Sequence, residues 1–406
     1  MTIIGTSEPH TGSKIKNTES ALTDSTSNTP KVVGKNYELE NYLSKHYDFL
    51  YNEITCRVEF RKKEETEYKK LTEIELNTIK RKLLNANIPF DHTRLQVTLY
   101  SDFSKSYNPF LEYMESLPEY SNEEDYITQL ANTVKTDNQE LFERVLKKWI
   151  VALVGSLIDD EVVNHCVLIM TGEQGVGKTT WQNNLIPKQL RNYIYTGAIN
   201  PNDKDSNLQI SENILINLDE LGVLKGNRLN ALKELITKKF IKVRRAYGYQ
   251  AENYTRRASF CGSANEKMFL TDTTGNRRFL CFNVTDIDIN HEVNMDMVYA
   301  QAIYLFKSGF KFYFDRADID EINAYAENFR VLSMEEEVLM ANYKSTKVED
   351  ATAFMTATEI HNKIAKSSGL PKGDASIQRL GKALTKNGFE RKKIRGIHKW
   401  AVDPII

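Results

Sequence analysis

The chain has 406 residues, of which 41% are hydrophobic and 27% are charged, and its net charge is −1. This length is enough for two or three domains, and the composition excludes a fibrous or wholly disordered protein. No run of 18 apolar residues and no N-terminal secretory signal occurs, so we expect a cytoplasmic protein without a membrane partner. The four cysteines are far apart and form no CxxC pair, which argues against a zinc site or a disulfide framework.

Composition and periodicity predict an α/β protein of six segments. In chain order they are a disordered tail (1–35), a small mixed α/β domain (36–105), a helical collar (106–160), an α/β core (161–287), a helical extension (288–345) and a winged-helix-like domain (351–406). Within the second segment we expect a strand at Ile54–Phe60 and a helix at Glu64–Ala86.

Four continuous apolar runs of strand length define the core segment. They are Cys166–Met170, Ile214–Leu218, Ala258–Ser263 and Phe279–Val284. Stretches long enough for helices separate the runs, which is the pattern of a buried, mostly parallel sheet.

A glycine-rich stretch follows the first run and opens a helical segment. It matches GxxxxGK[ST] at every fixed position, from Gly172 to Thr179. The glycines let backbone N–H groups curl around phosphate oxygens, Lys178 would reach the β and γ phosphates, and Thr179 would offer its hydroxyl to Mg²⁺. We therefore predict a site for ATP and Mg²⁺ formed by Gly172, Glu173, Gln174, Gly175, Val176, Gly177, Lys178, Thr179 and Thr180.

Polar residues at the ends of the other runs are candidates for hydrolysis. We expect Asp219 to hold Mg²⁺ through water and Glu220 to act as general base, because both follow an apolar strand. Asn265 would contact the γ phosphate or orient the attacking water, and Arg277 or Arg278 would act on the nucleotide of a neighbouring subunit. The alternatives are a solvated acidic turn, a turn-forming Asn and a surface basic pair.

Two stretches combine features expected of DNA-binding surfaces. Residues 238–257 interleave cations and tyrosines around a turn at Gly248, and the alternatives there are a solvated strand pair or contacts to nucleotide in trans. The predicted DNA contacts of this hairpin are Lys242, Arg244, Arg245, Tyr247 and Tyr249.

The second DNA candidate is the C-terminal segment. Residues 351–406 hold eleven Lys and Arg against four Asp and Glu, and two amphipathic helices followed by a hairpin predict a winged helix. Small domains of this kind also mediate protein contacts, so that alternative stays open. The predicted DNA contacts are Arg379, Lys382 and Lys386 on the second helix and Arg391, Lys392 and Lys393 in the wing.

These motifs together resemble the virulence-associated E family of phage and mobile-element ATPases, which belongs with the superfamily 3 helicases. The resemblance covers about Tyr47 to residue 345. Its motifs are Tyr51-Asn52-Glu53-Ile54, Asn108-Pro109-Phe110, Lys148-Trp149, the glycine-rich stretch, Asn200-Pro201 with Asp203-Lys204-Asp205, Leu218-Asp219-Glu220-Leu221 and Gly275-Asn276-Arg277-Arg278-Phe279. It implies an AAA+-like P-loop NTPase core that assembles as a ring, usually a hexamer, and uses ATP to translocate on single-stranded or forked DNA during replication.

The function indicated by the residues and the resemblance is an ATP-dependent DNA helicase or translocase. An ATP-dependent switch or loader, which binds DNA or replication partner proteins without unwinding, needs the same site and remains an alternative. A small-molecule kinase or GTPase is disfavoured because the chain has no NKxD guanine motif and no acceptor-site signature.

Overall fold

The structure is a computed structural model that describes residues 35–200, 203–218, 227–245, 250–270 and 276–405. Contacts between residues divide the chain into two compact units. The first comprises residues 35–51 and 58–105, and the second comprises residues 52–57 and 106–405.

The first unit combines three helices with a sheet in which β2 and β3 pair antiparallel. Its elements are α1 (Lys35–His46), β1 (Tyr47–Asn52), β2 (Arg57–Lys62), β3 (Lys69–Lys70), α2 (Glu73–Asn85) and α3 (His92–Leu99). The strands lie in the order β3-β2-β1, and a buried cluster that includes Leu43, Phe60 and Leu83 joins the helices to the sheet. The chain then continues through β4 (Lys105–Tyr107).

Two boundaries predicted in this region are wrong. The helix expected at Glu64–Ala86 begins only at Glu73, because the side chain of Thr72 accepts a hydrogen bond from the backbone N–H of Glu75 and caps the helix there. The strand expected at Ile54–Phe60 begins at Arg57, after a turn in which Cys56 has a φ of +52°.

The second unit contains a larger set of elements. In chain order they are α4 (Pro109–Ser116), α5 (Tyr126–Ala131), β5 (Val134–Thr136), α6 (Gln139–Ile158), β6 (Val167–Thr171), α7 (Lys178–Asn184), β7 (Ile194–Thr196), α8 (Lys204–Glu212), β8 (Leu215–Leu218), α9 (Asn227–Leu235), β9 (Phe240–Val243), β10 (Glu252–Thr255), β11 (Ser259–Ala264), β12 (Phe279–Ile287), α10 (Met295–Lys307), α11 (Arg316–Ala326), α12 (Met334–Asn342), β13 (Tyr343–Ser345), β14 (Ala353–Met355), α13 (Ala357–Ser368), α14 (Asp374–Lys386), β15 (Arg391–Ile394) and β16 (Ile397–Pro404).

A six-stranded sheet forms the centre of this unit, in the order β5-β12-β6-β11-β8-β7. The five strands from β12 to β7 are parallel, and β5 pairs antiparallel to the far end of β12. Every residue of β6, β8 and β11 is buried, because helices cover both faces of a sheet built this way. The mixed α/β fold is thereby confirmed, and the four apolar runs fall on β6, β8, β11 and β12.

Helix α6 is the longest described helix and is buried along most of its length. Asn138 caps it by accepting from the N–H of Leu141, and the indole of Trp149 donates to the carbonyl oxygen of Cys166 at 3.2 Å. A Cβ on Gly155 would lie 2.8 Å from Phe306, which shows how closely α10 approaches this helix. The hydrogen bond from Trp149 to Cys166 fixes α6 beside the start of β6.

Two smaller β structures complete the unit. Strands β9 and β10 pair antiparallel, which is the arrangement predicted for a hairpin in this region. In the C-terminal segment, β16 pairs with β13, β14 and β15, and α12, α13 and α14 pack with this sheet around Leu339, Leu380 and Trp400. None of the helices in the described ranges is both long and apolar enough to cross a membrane.

Candidate nucleotide-binding site

The glycine-rich loop connects β6 to α7 and has two positions that only glycine fits. Gly172 has a φ of +142°, and a Cβ there would lie 2.4 Å from the carbonyl oxygen of Val284. Gly177 has a φ of +97°, and its Cβ would lie 2.5 Å from Cγ2 of Ile289. The loop is therefore held against β12 on one side and against the segment after β12 on the other.

Lys178 is the one cation in the sequence from Gly172 to Thr179, and it is buried, with 6% of its surface exposed. Its Nζ donates hydrogen bonds to the carbonyl oxygens of Gly172 at 2.9 Å and Glu173 at 2.7 Å. Burial lowers the pKa of Lys178, because the charged form loses hydration. Within the described part of the chain no carboxylate is paired with this ammonium, so its charge is available to an anion.

The first turn of α7 lacks a side-chain cap. Gly177 is the N-cap residue and has no side chain to accept from the backbone N–H groups of the first turn. Residues of this first turn, Lys178 among them, line a cavity of about 330 Å³. Its lining consists of Gln174, Gly175, Gly177, Lys178, Thr179, Thr180, Ser263 and Asn265. A group with several negative oxygens matches this set of donors.

The register of the sheet explains why Asn265 lines the same cavity. Ala264, at the end of β11, pairs with Thr171, at the end of β6, so the residues that follow them leave the sheet side by side. Asn265 and Ser263 thereby come to the loop from the neighbouring strand. The sequence pointed to Asn265 but not to Ser263, which lies inside the apolar run itself.

Three polar contacts fix α7 to the sheet and to the preceding segment. The side-chain amide of Gln182 donates to the carbonyl oxygen of Gly262 at 2.9 Å, and that of Asn217 donates to Oδ1 of Asn183 at 2.9 Å. The indole of Trp181 donates to Oγ1 of Thr133 at 2.8 Å. Sequence reasoning missed Gln182 and Asn217. An amide inside the apolar run of β8 was the available signal, because a buried polar side chain needs a partner.

The two predicted carboxylates, Asp219 and Glu220, lie outside the described residues. So do Tyr247 and Tyr249 of the predicted hairpin. Leu218, the last described residue before the carboxylates, pairs with Gly262 of β11, one residue before Ser263.

Arg277 and Arg278 lie at the opposite end of the strands from the glycine-rich loop. They precede Phe279, which pairs with Val167 at the start of β6, whereas the loop begins at the end of β6. Five residues of strand span about 16 Å. Both arginines line a second cavity of about 530 Å³, whose other walls include His165, Phe312 and Phe314. Burial and the nearby Arg256 lower the pKa of His165 in this wall.

A sequence model of the virulence-associated protein E-like (VapE-like) domain matches residues 114–331, which is more than half of the chain. The chain belongs to the VapE-like family. The matched region of this VapE-like chain runs from α4 to the residue after Arg330, and it contains both cavities.

Among solved structures, similar chains come from the C-terminal region of NrS-1. One apo structure shares 13% identity with a TM-score of 0.46, covering 91% of this chain and 98% of that chain. An A-form apo structure gives 13% identity and a TM-score of 0.45, covering 90% and 98%. No curated protein matches the chain.

The residues that the VapE-like chain presents on its β9–β10 hairpin alternate between two faces. Phe240, Lys242 and Arg244 are exposed, while Ile241 and Val243 are buried in the core. Arg245 is engaged within the chain: it forms an ion pair with Glu212 and donates to the carbonyl oxygen of Thr55 at 2.8 Å. Of the described residues predicted to contact DNA here, Lys242 and Arg244 are the accessible ones.

The predicted DNA contacts of the C-terminal segment also differ in their availability. Arg379 donates to Oε1 of Glu335 at 2.9 and 2.7 Å, and the ammonium of Lys386 lies 2.6 Å from Glu327. The others are exposed and form no ion pair within the described ranges. They are Lys382, Arg391, Lys392 and Lys393.

Proposed function

We propose that this chain is an ATP-hydrolysing P-loop NTPase with an AAA+-like core of the superfamily 3 type. The observation that carries the proposal is the cavity lined by Lys178 and Thr179 of the uncapped first turn of α7 and by Asn265, which follows β11. The glycine-rich loop between a parallel strand and a helix, with Gly172, Gly175 and Gly177 all in backbone conformations that disfavour a side chain, supports the same conclusion.

Each residue has a part in binding and hydrolysis. Backbone N–H groups of residues 174–179 and the ammonium of Lys178 bind the β and γ phosphates. Thr179 and Asp219 hold Mg²⁺, which when bound neutralises charge on the phosphates. Glu220 accepts a proton from the attacking water, and Asn265 orients that water toward the γ phosphate.

The positions of Arg277 and Arg278 support hydrolysis between subunits. In one chain they lie at the end of the strands opposite the loop, so they serve the nucleotide of a neighbouring copy. In a head-to-tail ring of copies, the arginines of each copy face the glycine-rich loop of the next copy. Hydrolysis then depends on assembly.

We further propose that the ring acts as a DNA helicase or translocase in replication of a phage or mobile element. The exposed cations Lys242 and Arg244 and the exposed ring of Phe240 on the β9–β10 hairpin support contact with the phosphates and bases of single-stranded DNA. The C-terminal segment, with two helices and a hairpin on one sheet, supports its interpretation as a winged-helix domain.

Two measurements on the purified full chain test this function. Nucleotide binding and ATP turnover are measured with and without single-stranded DNA, and strand release is measured on forked DNA. We expect ATP-dependent strand release, and Glu220→Gln should bind ATP without hydrolysing it. Failure to bind ATP would overturn the whole proposal. Hydrolysis without strand release would favour a switch or loader instead.

A further inference from the structure

The turn end of the β15–β16 hairpin, residues 391–399, carries cations without any carboxylate. From Arg391 to Lys399 the sequence contains five Lys and Arg and one His, and no Asp or Glu. Five of these six side chains belong to exposed residues, which are Arg391, Lys392, Lys393, Arg395 and His398. This run of nine residues is a strongly positive surface in a chain whose net charge is −1.

The turn of this hairpin places a cation at the tip. Arg395 has a φ of +50° and Gly396 a φ of +81°, so both central residues of the two-residue turn are left-handed. Asn or Asp is the usual residue at the first of these positions, because their short side chains tolerate this conformation. An arginine there costs backbone strain and places a positive charge at the exposed tip of the hairpin.

The pairing of the two strands brings like charges together. Lys392 lies directly opposite Lys399. Like charges in such cross-strand pairs destabilise a sheet. Glu359 approaches Lys399 at 3.4 Å, but no other carboxylate of the described residues pairs with the hairpin. A bound polyanion would remove this repulsion.

Helix α14 differs in how its cations are used. Arg379 is held by Glu335, of which 3% is exposed, and Lys386 is held by Glu327. Both cations therefore contribute to packing between α14 and the segments before it. Only Lys382 of the three cations predicted to contact DNA from this helix has no ion pair within the described ranges.

We propose that the β15–β16 hairpin, and not α14, is the surface through which the C-terminal segment binds the phosphate backbone of duplex DNA. This inference rests on the proposed action of the chain on DNA. Duplex is favoured over single strands because the hairpin has no exposed Phe, Tyr or Trp side chain to stack on unpaired bases, since Trp400 is only 9% exposed. Contacts of Lys and Arg with phosphates are independent of sequence.

The test compares three variants of the full chain in titrations with duplex DNA at several salt concentrations, without nucleotide. The hairpin variant combines Lys392→Gln, Lys393→Gln and Arg395→Gln. Its matched control removes the same charge from exposed residues elsewhere in the segment, with Lys363→Gln, Lys366→Gln and Lys372→Gln. The third variant, Lys382→Gln, removes the unpaired cation of α14.

We expect the hairpin variant to lower duplex affinity by about 10-fold or more, and to reduce the slope of log affinity against log salt by about 3. The matched control and Lys382→Gln should change affinity by less than about 3-fold. The hairpin variant should unfold at the same temperature as the wild type or higher, because the like-charge pair of Lys392 and Lys399 is removed.

Other outcomes overturn the inference in distinguishable ways. An equal loss of duplex affinity in the matched control would mean that the total charge of the segment determines binding and the hairpin has no special role. A larger loss of duplex affinity in Lys382→Gln would assign the contact to α14. An equal loss of single-strand affinity in the hairpin variant would overturn the preference for duplex. If the wild type binds neither duplex nor forked DNA, the proposed action on DNA fails as well, whereas ATP binding is measured separately.

Discussion

Lys178 closes the loop that precedes it, since its Nζ donates a hydrogen bond to the carbonyl oxygen of Gly172 at 2.9 Å. The residue that begins the loop and the residue that begins α7 are thus held together before any ligand binds. The loop is preorganised, which reduces the entropy that binding must remove. The same ammonium is buried without a paired carboxylate in the described part of the chain. A bound phosphate would therefore interact with a positive charge that no carboxylate neutralises.

Replacement of Lys178 by Ala should weaken ATP binding by about 10- to 100-fold, because a hydrogen bond to a charged group contributes about 1.5–3 kcal/mol. Lys188→Ala is the charge-matched control, since Lys188 is exposed ten residues further along the chain. Binding of a fluorescent ATP analogue measures both. Equal affinities of Lys178→Ala and Lys188→Ala would contradict the assigned role.

The affinity for ATP should fall at alkaline pH, earlier than for an ordinary lysine. Burial lowers the pKa of Lys178 in the free protein, and a bound phosphate favours the charged form and raises that pKa again. Binding therefore takes up a proton between the two values, so affinity decreases as pH rises through the pKa of the free protein. Titrations from about pH 7 to about pH 10 check this, and Lys178→Arg should remove the alkaline decrease because arginine stays protonated.

The two inner glycines of the loop should differ in their tolerance of alanine. Gly175 has a φ of +89° with open space around it, so Gly175→Ala should cost only the backbone strain of about 1–2 kcal/mol. Gly177→Ala adds an overlap with Ile289, which should cost a further ~1–3 kcal/mol of folding stability. Denaturant unfolding without nucleotide measures the difference. Adding Ile289→Ala to Gly177→Ala should recover the overlap but not the strain, and no recovery at all would show that the contact is unimportant.

The sheet was predictable from sequence because its strands are buried on both faces. A continuous apolar run bounded by polar residues gave β6, β8, β11 and β12 with ends displaced by at most three residues. The loop was predictable for a similar local reason, because its glycines meet a backbone requirement that neighbouring residues impose.

What the sequence did not show are contacts between segments far apart in the chain. Arg245 and Arg379 have the composition of DNA-binding residues, yet their partners Glu212 and Glu335 are 33 and 44 positions away. Periodicity cannot reveal such pairs, because they depend on which helices pack together. Sequence patterns also failed to predict the strand β3. Its charged sequence favours a helix, and only pairing with β2 makes it a strand.

Glu335→Gln should destabilise the C-terminal segment by about 2 kcal/mol or less, since charge-assisted hydrogen bonds are lost while half of Arg379 remains in solvent. Burial alone would raise the pKa of Glu335, but hydrogen bonds from Arg379 and Ser376 outweigh it and lower the pKa to about 2. The stabilisation is therefore complete above the ordinary glutamate value of about 4.3, and it is lost as pH falls toward 2. Thermal unfolding across this range checks the prediction.

The control for that measurement is Glu337→Gln, which changes an exposed residue of the same helix. It should leave stability unchanged within about 0.5 kcal/mol at every pH. If Glu335→Gln and the wild type differ by the same amount at pH 6 and at pH 3, the carboxylate of Glu335 is not the group that titrates.

Mixtures of two inactive variants should regain ATP hydrolysis if Arg278 acts on a neighbouring copy. A Lys178→Ala copy keeps its arginine and an Arg278→Ala copy keeps its loop, so an interface that joins these two intact parts is complete. At equal amounts about a quarter of the interfaces in a randomly mixed ring are of this kind, so activity should peak there. Mixing Lys178→Ala with the double variant Lys178→Ala/Arg278→Ala forms no complete interface and should give no recovery. A flat response in the first mixture would mean that Arg278 does not act on a neighbouring copy, and repeating the series with Arg277→Ala identifies which of the two side chains reaches the phosphate.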